Sequence, residues 1–142
     1  MRRRLLLLFA ALFILASPVS SQVAIIAHKQ VAVDGLSRTQ LIDFYTGDAE
    51  HWVDGKPVVM FTMSFRTAAR DSFFKLMGRS PSRMKSIWMK RMLSGEGDPP
   101  ERLKSEAAVV QKVAATPGAI GYVSPDTAVS PSVKLIKILM ED

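Results

Sequence analysis

Residues 57–77 read Pro-Val-Val-Met-Phe-Thr-Met-Ser-Phe-Arg-Thr-Ala-Ala-Arg-Asp-Ser-Phe-Phe-Lys-Leu-Met, and the fold is decided within them. Pro57 to Met63 is an uncharged run with the pattern of a strand buried on both faces. From about Arg66 the spacing changes. Ala69, Phe73, Leu76 and Met77 fall on one face of a helix running roughly from Arg66 to Met77, and Gly78 stops it. A buried strand that passes directly into an amphipathic helix is the repeating unit of an α/β protein.

The same alternation continues on both sides. Upstream, Val23 to Ala27 is another apolar run of the buried-strand type. Leu36-Ser37-Arg38-Thr39-Gln40-Leu41 reads as a helix start, with Ser37 as N-cap, Gln40 as its capping-box partner, and Leu36 and Leu41 at the staple positions. Leu41, Phe44 and Tyr45 share a face of that helix, Gly47 ends it, and Asp54-Gly55 marks a turn. Downstream, Ser80-Pro81 restarts a helix whose stripe is Met84, Ile87, Trp88 and Met92. Arg83, Lys85, Lys90 and Arg91 crowd its remaining surface and read as a solvated basic face.

Gly95 to Pro100 is a loop, and Ser105 to Ala115 is a helix with Ala107, Val110, Val113 and Ala114 inward. Pro117-Gly118 ends it, Ala119 to Val123 is a short strand, and Val133 to Leu139 is the last one. Lys134 and Lys137 give that strand the partial polarity of a sheet edge. The expected fold class is therefore α/β: a three-layer α/β/α sandwich on a mixed, mainly parallel sheet, with no internal repeat and no second domain.

Residues 1–21 have a different character. Arg2, Arg3 and Arg4 precede an apolar run from Leu5 to Ala16, and Val19-Ser20-Ser21 supplies the small residues of a cleavage site. That run is shorter than the roughly 20 residues a spanning helix needs, so it reads as a cleaved signal peptide rather than an anchor. The expected organisation is a leader over 1–21 and an exported domain over 22–142, located in a periplasm. The chain has no cysteine, which excludes disulfides, thiolate metal sites, a thiol nucleophile and a lipid anchor attached through cysteine. The leader holds three of the 19 Lys+Arg and none of the 13 Asp+Glu, so the rest carries sixteen against thirteen, or +3. That balance leaves no footprint for nucleic acid.

Catalysis needs a constellation, and one stretch offers a candidate: Asp48, Glu50, His51 and Asp54, with His28 elsewhere. No recognised metal-ligand or nucleophile motif accompanies these residues, and Gly47, Asp54 and Gly55 mark a plain polar loop. The expectation is a non-enzyme with no metal and no cofactor. Trp52 and Trp88 are read as packing residues rather than ligand platforms.

Several segments together carry a resemblance. Leu36-Ser37-x-x-Gln40-Leu41-x-x-Phe44-Tyr45-x-Gly47, then Trp52-x-Asp54-Gly55-x-Pro57-Val58, Gly95-x-Gly97-x-Pro99-Pro100 and Pro117-Gly118-Ala119-Ile120-Gly121-Tyr122 resemble, in order and spacing, the second lobe of phosphate-type ABC-transporter substrate-binding proteins. The resemblance implies one lobe of a type II periplasmic binding protein-like fold. It also implies an oxyanion site at Ser64-Phe65-Arg66-Thr67, where Ser64 and Thr67 offer hydroxyls and Arg66 or Arg70 a guanidinium. Phe65 and Ala68 stand where phosphate-binding members tend to have glycine, so the implied binding is weak.

Two functions follow from these readings. One is a solute-binding module for phosphate or another small oxyanion, working with a membrane permease or sensor. The other is a protein–protein module without a small ligand, in which the face left uncovered by a missing lobe forms a homodimer or docks on a membrane protein.

Overall fold

The computed structural model describes residues 22–139, so the expected leader lies outside the described residues. The chain order is β1 (Ala24–His28), β2 (Gly35–Ser37), α1 (Arg38–Thr46), β3 (Val59–Met63), α2 (Ala68–Met77), α3 (Pro81–Leu93), β4 (Glu101–Leu103), α4 (Glu106–Ala115), β5 (Ala119–Val123) and β6 (Val133–Leu139). The strands form one sheet in the order β2-β6-β1-β5-β3-β4. β1 runs antiparallel to both of its neighbours, while the β2–β6, β3–β5 and β3–β4 pairs are parallel. Five strands thus point one way and β1 the other, which is the expected mixed, mainly parallel sheet.

Local chemistry fixes the helices where the sequence places them. Ser37 accepts from the Gln40 N–H, and the Gln40 side chain accepts from the Ser37 N–H, closing the capping box of α1. Ser80 caps α3, with Pro81 in its first turn, and Ser105 caps α4. The start of α2 differs from expectation. Its cap is Thr67, whose side chain accepts from the Arg70 N–H at 3.0 Å, so the helix begins at Ala68 rather than near Arg66.

Helices cover both faces of the sheet. α4 lies against β5 at Gly121, where an added Cβ would come within 2.9 Å of Val109 and 3.3 Å of Val113. Only glycine allows that approach. On the opposite face the Tyr122 ring stacks on Phe73 of α2 at 4.0 Å, and Tyr45 of α1 meets Phe73 edge-on at 4.8 Å. The Tyr45 hydroxyl donates to the Phe61 carbonyl at 2.9 Å, tying α1 to β3. The inner surface of α4 uses Val109, Val110 and Val113, whereas Ala107 is exposed. The larger valine takes the buried position that the smaller alanine was expected to fill.

Two further expectations change. β6 is not an edge strand: it lies between β1 and β2. Its lysine is tied inward instead, Lys134 donating to Asp34 Oδ1 at 2.9 Å and to the Val31 carbonyl. The edges are β2 and β4, three residues each, too short to present a long unpaired ladder. On α3, Met84 is fully buried and Ile87 and Trp88 half-buried, but Met92 is 42% exposed.

Candidate functional site

β3 and β4 run side by side, Thr62 opposite Arg102 and Met63 opposite Leu103, and both end at one rim of the sheet. β5 ends at the same rim with Val123, because it is parallel to β3. This is the carboxyl edge, where open α/β sheets bind ligands. Two helices start there, α2 after Met63 and α4 after Leu103. The α4 start is already occupied from within the chain. The Glu106 carboxylate accepts the Ser124 N–H at 2.9 Å and the Thr127 hydroxyl.

The α2 start is more open. The Ser64 N–H donates to the Leu103 carbonyl at 2.8 Å, and the Ser64 carbonyl accepts from Arg102 at 3.4 Å, so the backbone entering the turn is held by β4. Thr67 Oγ1 is used as an acceptor by the Arg70 N–H, and its own proton faces only the Met63 sulfur at 3.8 Å. The Asp71 N–H begins the ladder by donating to the Thr67 carbonyl. The first-turn donors of Ala68 and Ala69 precede that ladder and have no carbonyl of their own helix to meet.

The four sequence-derived site residues do not converge. Ser64 and Thr67 sit on the turn, and Arg66 is on the same turn but 82% exposed, paired with Asp71 at 3.6 Å. The Arg70 guanidinium leaves the rim and lies over the Phe74 ring at 5.1 Å. Its Nε is buried without a hydrogen-bond partner. Arg70 thereby enters a cleft of about 300 Å³ between α2 and α3, which Lys85, Trp88 and Arg102 also line. Sequence reading assigned Lys85 to a solvated face and gave Arg102 no role. Only the β3–β4 register, which sets Arg102 beside Thr62, reveals the grouping.

Beneath this rim the Tyr122 hydroxyl lies 2.8 Å from Thr62 Oγ1 and accepts the Met63 N–H at 3.1 Å. Burial pushes the Tyr122 phenol above its usual pKa, opposed by these hydrogen bonds and by the nearby Arg70 charge. Tyr45 is pushed further upward, mainly by burial and also by the neighbouring Tyr122.

The polar stretch around His51 makes ordinary loop contacts. His51 bridges to Pro57, the Asp54 carboxylate accepts the Lys56 N–H at 3.1 Å, and Glu50 pairs with Arg91 at 3.1 Å. Arg91 also meets Glu96 at 3.4 Å, so the concavity of about 470 Å³ that Arg91 and Glu50 line holds a compensated charge. His28 is buried and its Nδ1 accepts the Gln30 N–H at 3.1 Å. Among the described residues no group of three or more His, Asp or Glu side chains is arranged to hold a metal ion. Trp52 is buried and donates to the Gly118 carbonyl at 2.9 Å, while Trp88 is half-buried and donates to the Tyr45 carbonyl at 2.7 Å. Among the described residues no helix is long and apolar enough to cross a membrane.

No protein-family model and no curated protein matches the chain. Solved structures do. A protein from Clostridium perfringens, described as a phosphate ABC transporter substrate-binding protein and solved with bound phosphate, aligns with a TM-score of 0.66 at 23% identity, over 82% of this chain and 44% of its own. An ABC-type phosphate transport receptor from Vibrio cholerae aligns with a TM-score of 0.62 at 22% identity, over 84% of this chain and 46% of its own. PstS from Borrelia burgdorferi gives 0.62 at 11% identity, over 82% and 47%. The chain spans less than half the length of each of these proteins. Its six-stranded sheet and flanking helices have the fold of one lobe of a phosphate-type ABC transporter substrate-binding protein.

Proposed function

We propose that this chain is an exported, non-enzymatic recognition module of the solute-binding kind, and that it takes a small oxyanion such as phosphate at the start of α2. The observation that carries the proposal is positional. In a fold shared with a phosphate-bound protein, the Ser64–Thr67 turn lies at the carboxyl edge of the sheet, where a helix starts. Ser64 and Thr67 contribute hydroxyl donors, the first turn of α2 its N–H groups, and Arg66 positive charge, whereas Arg70 is turned away into the α2–α3 cleft. Export rests on the leader-like residues 1–21, and a membrane permease or sensor is the partner that a periplasmic solute binder would serve. The Arg66–Asp71 pair and the Phe65 and Ala68 side chains keep the binding weak.

Calorimetric titration of the purified protein with phosphate, with sulfate as control, tests this at low salt. Saturable heat is expected, lost in the Ser64→Ala/Thr67→Ala double variant. Flat traces for both ions would overturn the oxyanion reading, and unchanged affinity in the double variant would remove the site from Ser64 and Thr67.

A second reading draws on the surface. Leu135 and Leu139 of β6 are 64% and 48% exposed, an apolar pair that favours a protein–protein module over a free surface. Light scattering at high protein concentration separates the two readings for self-association: a strictly monomeric mass removes the homodimer.

A further inference from the structure

The α2–α3 cleft differs in kind from the rim. Arg70, Lys85 and Arg102 line it and no acidic side chain does. Elsewhere on the described surface some cations, among them Lys56, Arg66, Arg91, Lys112 and Lys134, have a carboxylate partner, and others, such as Arg38, Lys75 and Lys90, do not. The three cleft cations have none among the described residues, and what sets the cleft apart is that three such cations line one concavity. Arg102 makes one long bond, 3.4 Å to the Ser64 carbonyl, and the Arg70 Nε is buried with no partner at all. The guanidinium is thus held at the cleft wall with its bonding capacity unmet by the protein, a state that an anion accepting from its exposed N–H groups would relieve.

The rest of the cleft is apolar. Met63, Phe74, Trp88 and Met89 form much of its lining. Trp88 is fixed by its Nε1–H bond to the Tyr45 carbonyl, so its ring is held in place before any ligand arrives. A volume of about 300 Å³ falls at the small end of ordinary ligand sites. We infer that this cleft is a separate binding site for a small organic anion with a flat apolar body, such as an aryl phosphate or an aromatic carboxylate. A bare inorganic ion would satisfy the cations and leave the apolar lining wet. A neutral aromatic would cover the lining and leave Arg70 unpaired. A ligand that carries both groups satisfies both parts of the cleft.

This site does not depend on the oxyanion reading of the α2 start, since neither Ser64 nor Thr67 lines it. Phenyl phosphate is the probe, titrated into the purified protein by calorimetry and by tryptophan fluorescence, with phenol and inorganic phosphate as controls. Saturable phenyl phosphate binding is expected, with phenol weaker by at least about tenfold, the scale of one charge-assisted hydrogen bond. Excess inorganic phosphate should not displace the probe. Lys85 is exposed and its ammonium makes no bond among the described residues, so Lys85→Glu should leave the fold intact and weaken the probe by about tenfold or more. Arg102→Gln should act in the same direction, while Ser64→Ala/Thr67→Ala should leave probe affinity unchanged. Absence of saturation, indifference to Lys85→Glu, or loss of the probe in the Ser64/Thr67 variant would each overturn the proposal.

Discussion

The hydroxyls of Thr62 and Tyr122 lie 2.8 Å apart, and the Tyr122 oxygen also accepts the Met63 N–H at 3.1 Å. The β3–β5 ladder pairs Val59 with Ala119 and Met60 with Ile120. Farther along, it is this hydroxyl pair that joins the two strands beneath the carboxyl edge. Tyr122→Phe keeps the ring stacked on Phe73 but strands the buried Thr62 hydroxyl and Met63 N–H. The expected cost is about 1–3 kcal/mol, read as a lower urea midpoint with an unchanged slope. A midpoint equal to that of the parent protein would show that the pair contributes nothing to stability.

Alkaline titration follows from the same burial. The chain has two tyrosines, Tyr45 and Tyr122, and both phenols are held above their usual pKa chiefly by burial. The folded state therefore keeps its phenolic protons at a pH where the unfolded chain has lost them. The stabilisation is fully present below about pH 10, the pKa of an exposed tyrosine, and falls as pH rises beyond it. Tyrosinate absorbance near 295 nm should stay flat through pH 10 and then rise together with loss of helical circular dichroism. A tyrosinate signal rising near pH 10 with the helices intact would contradict the burial of both side chains.

Gly118 ends the turn before β5 with φ of 80°, and its carbonyl accepts from both the Trp52 indole at 2.9 Å and the Val59 N–H at 3.0 Å. A Cβ there would lie 2.4 Å from the Pro57 carbonyl oxygen. Gly118→Ala therefore combines left-handed strain, of order 1–2 kcal/mol, with a backbone clash that has to displace the 57–59 segment. The expected loss is more than about 2 kcal/mol of unfolding free energy. Trp52→Phe, which removes one bond and keeps most of the packing, should cost closer to 1 kcal/mol. Thermal melts of the two variants would rank them, and the reverse order would refute the geometry.

What the sequence disclosed, and what it withheld, divides along a physical line. The capping box of Ser37 and Gln40, the Ser80-Pro81 start and the strands Ala119–Val123 and Val133–Leu139 were legible because each is specified by residues close in the chain. β2 and β4 were not. Gly35-Leu36-Ser37 becomes a strand only by pairing with Lys137–Leu139, and Glu101–Leu103 only by pairing with Phe61–Met63. The candidate turn at Ser64–Thr67 was visible as a strand-to-helix junction. The direction taken by Arg70 was not, because it depends on Phe74 and on a cleft whose other wall is α3. Lys85 and Arg102 look like ordinary surface cations until that long-range packing brings them to the same place.

Asp71 gives the sharpest test of the α2 start. It sits in the first turn of the helix, where a carboxylate is favoured by the dipole, and it draws Arg66 into a pair at 3.6 Å. Both effects oppose an incoming anion: the carboxylate repels it, and the guanidinium is already engaged. Asp71→Asn removes the charge at nearly constant size. Because the pair is solvent-exposed, the change should be modest, with helix stability falling by less than about 1 kcal/mol and oxyanion affinity rising about two- to fivefold at low salt. The gain should shrink as ionic strength increases. Phosphate titrations of the parent and the variant at two salt concentrations would check both the sign and the screening. A variant that binds phosphate no better than the parent would mean that the anion does not sit within reach of Asp71, and the oxyanion site would have to be sought elsewhere.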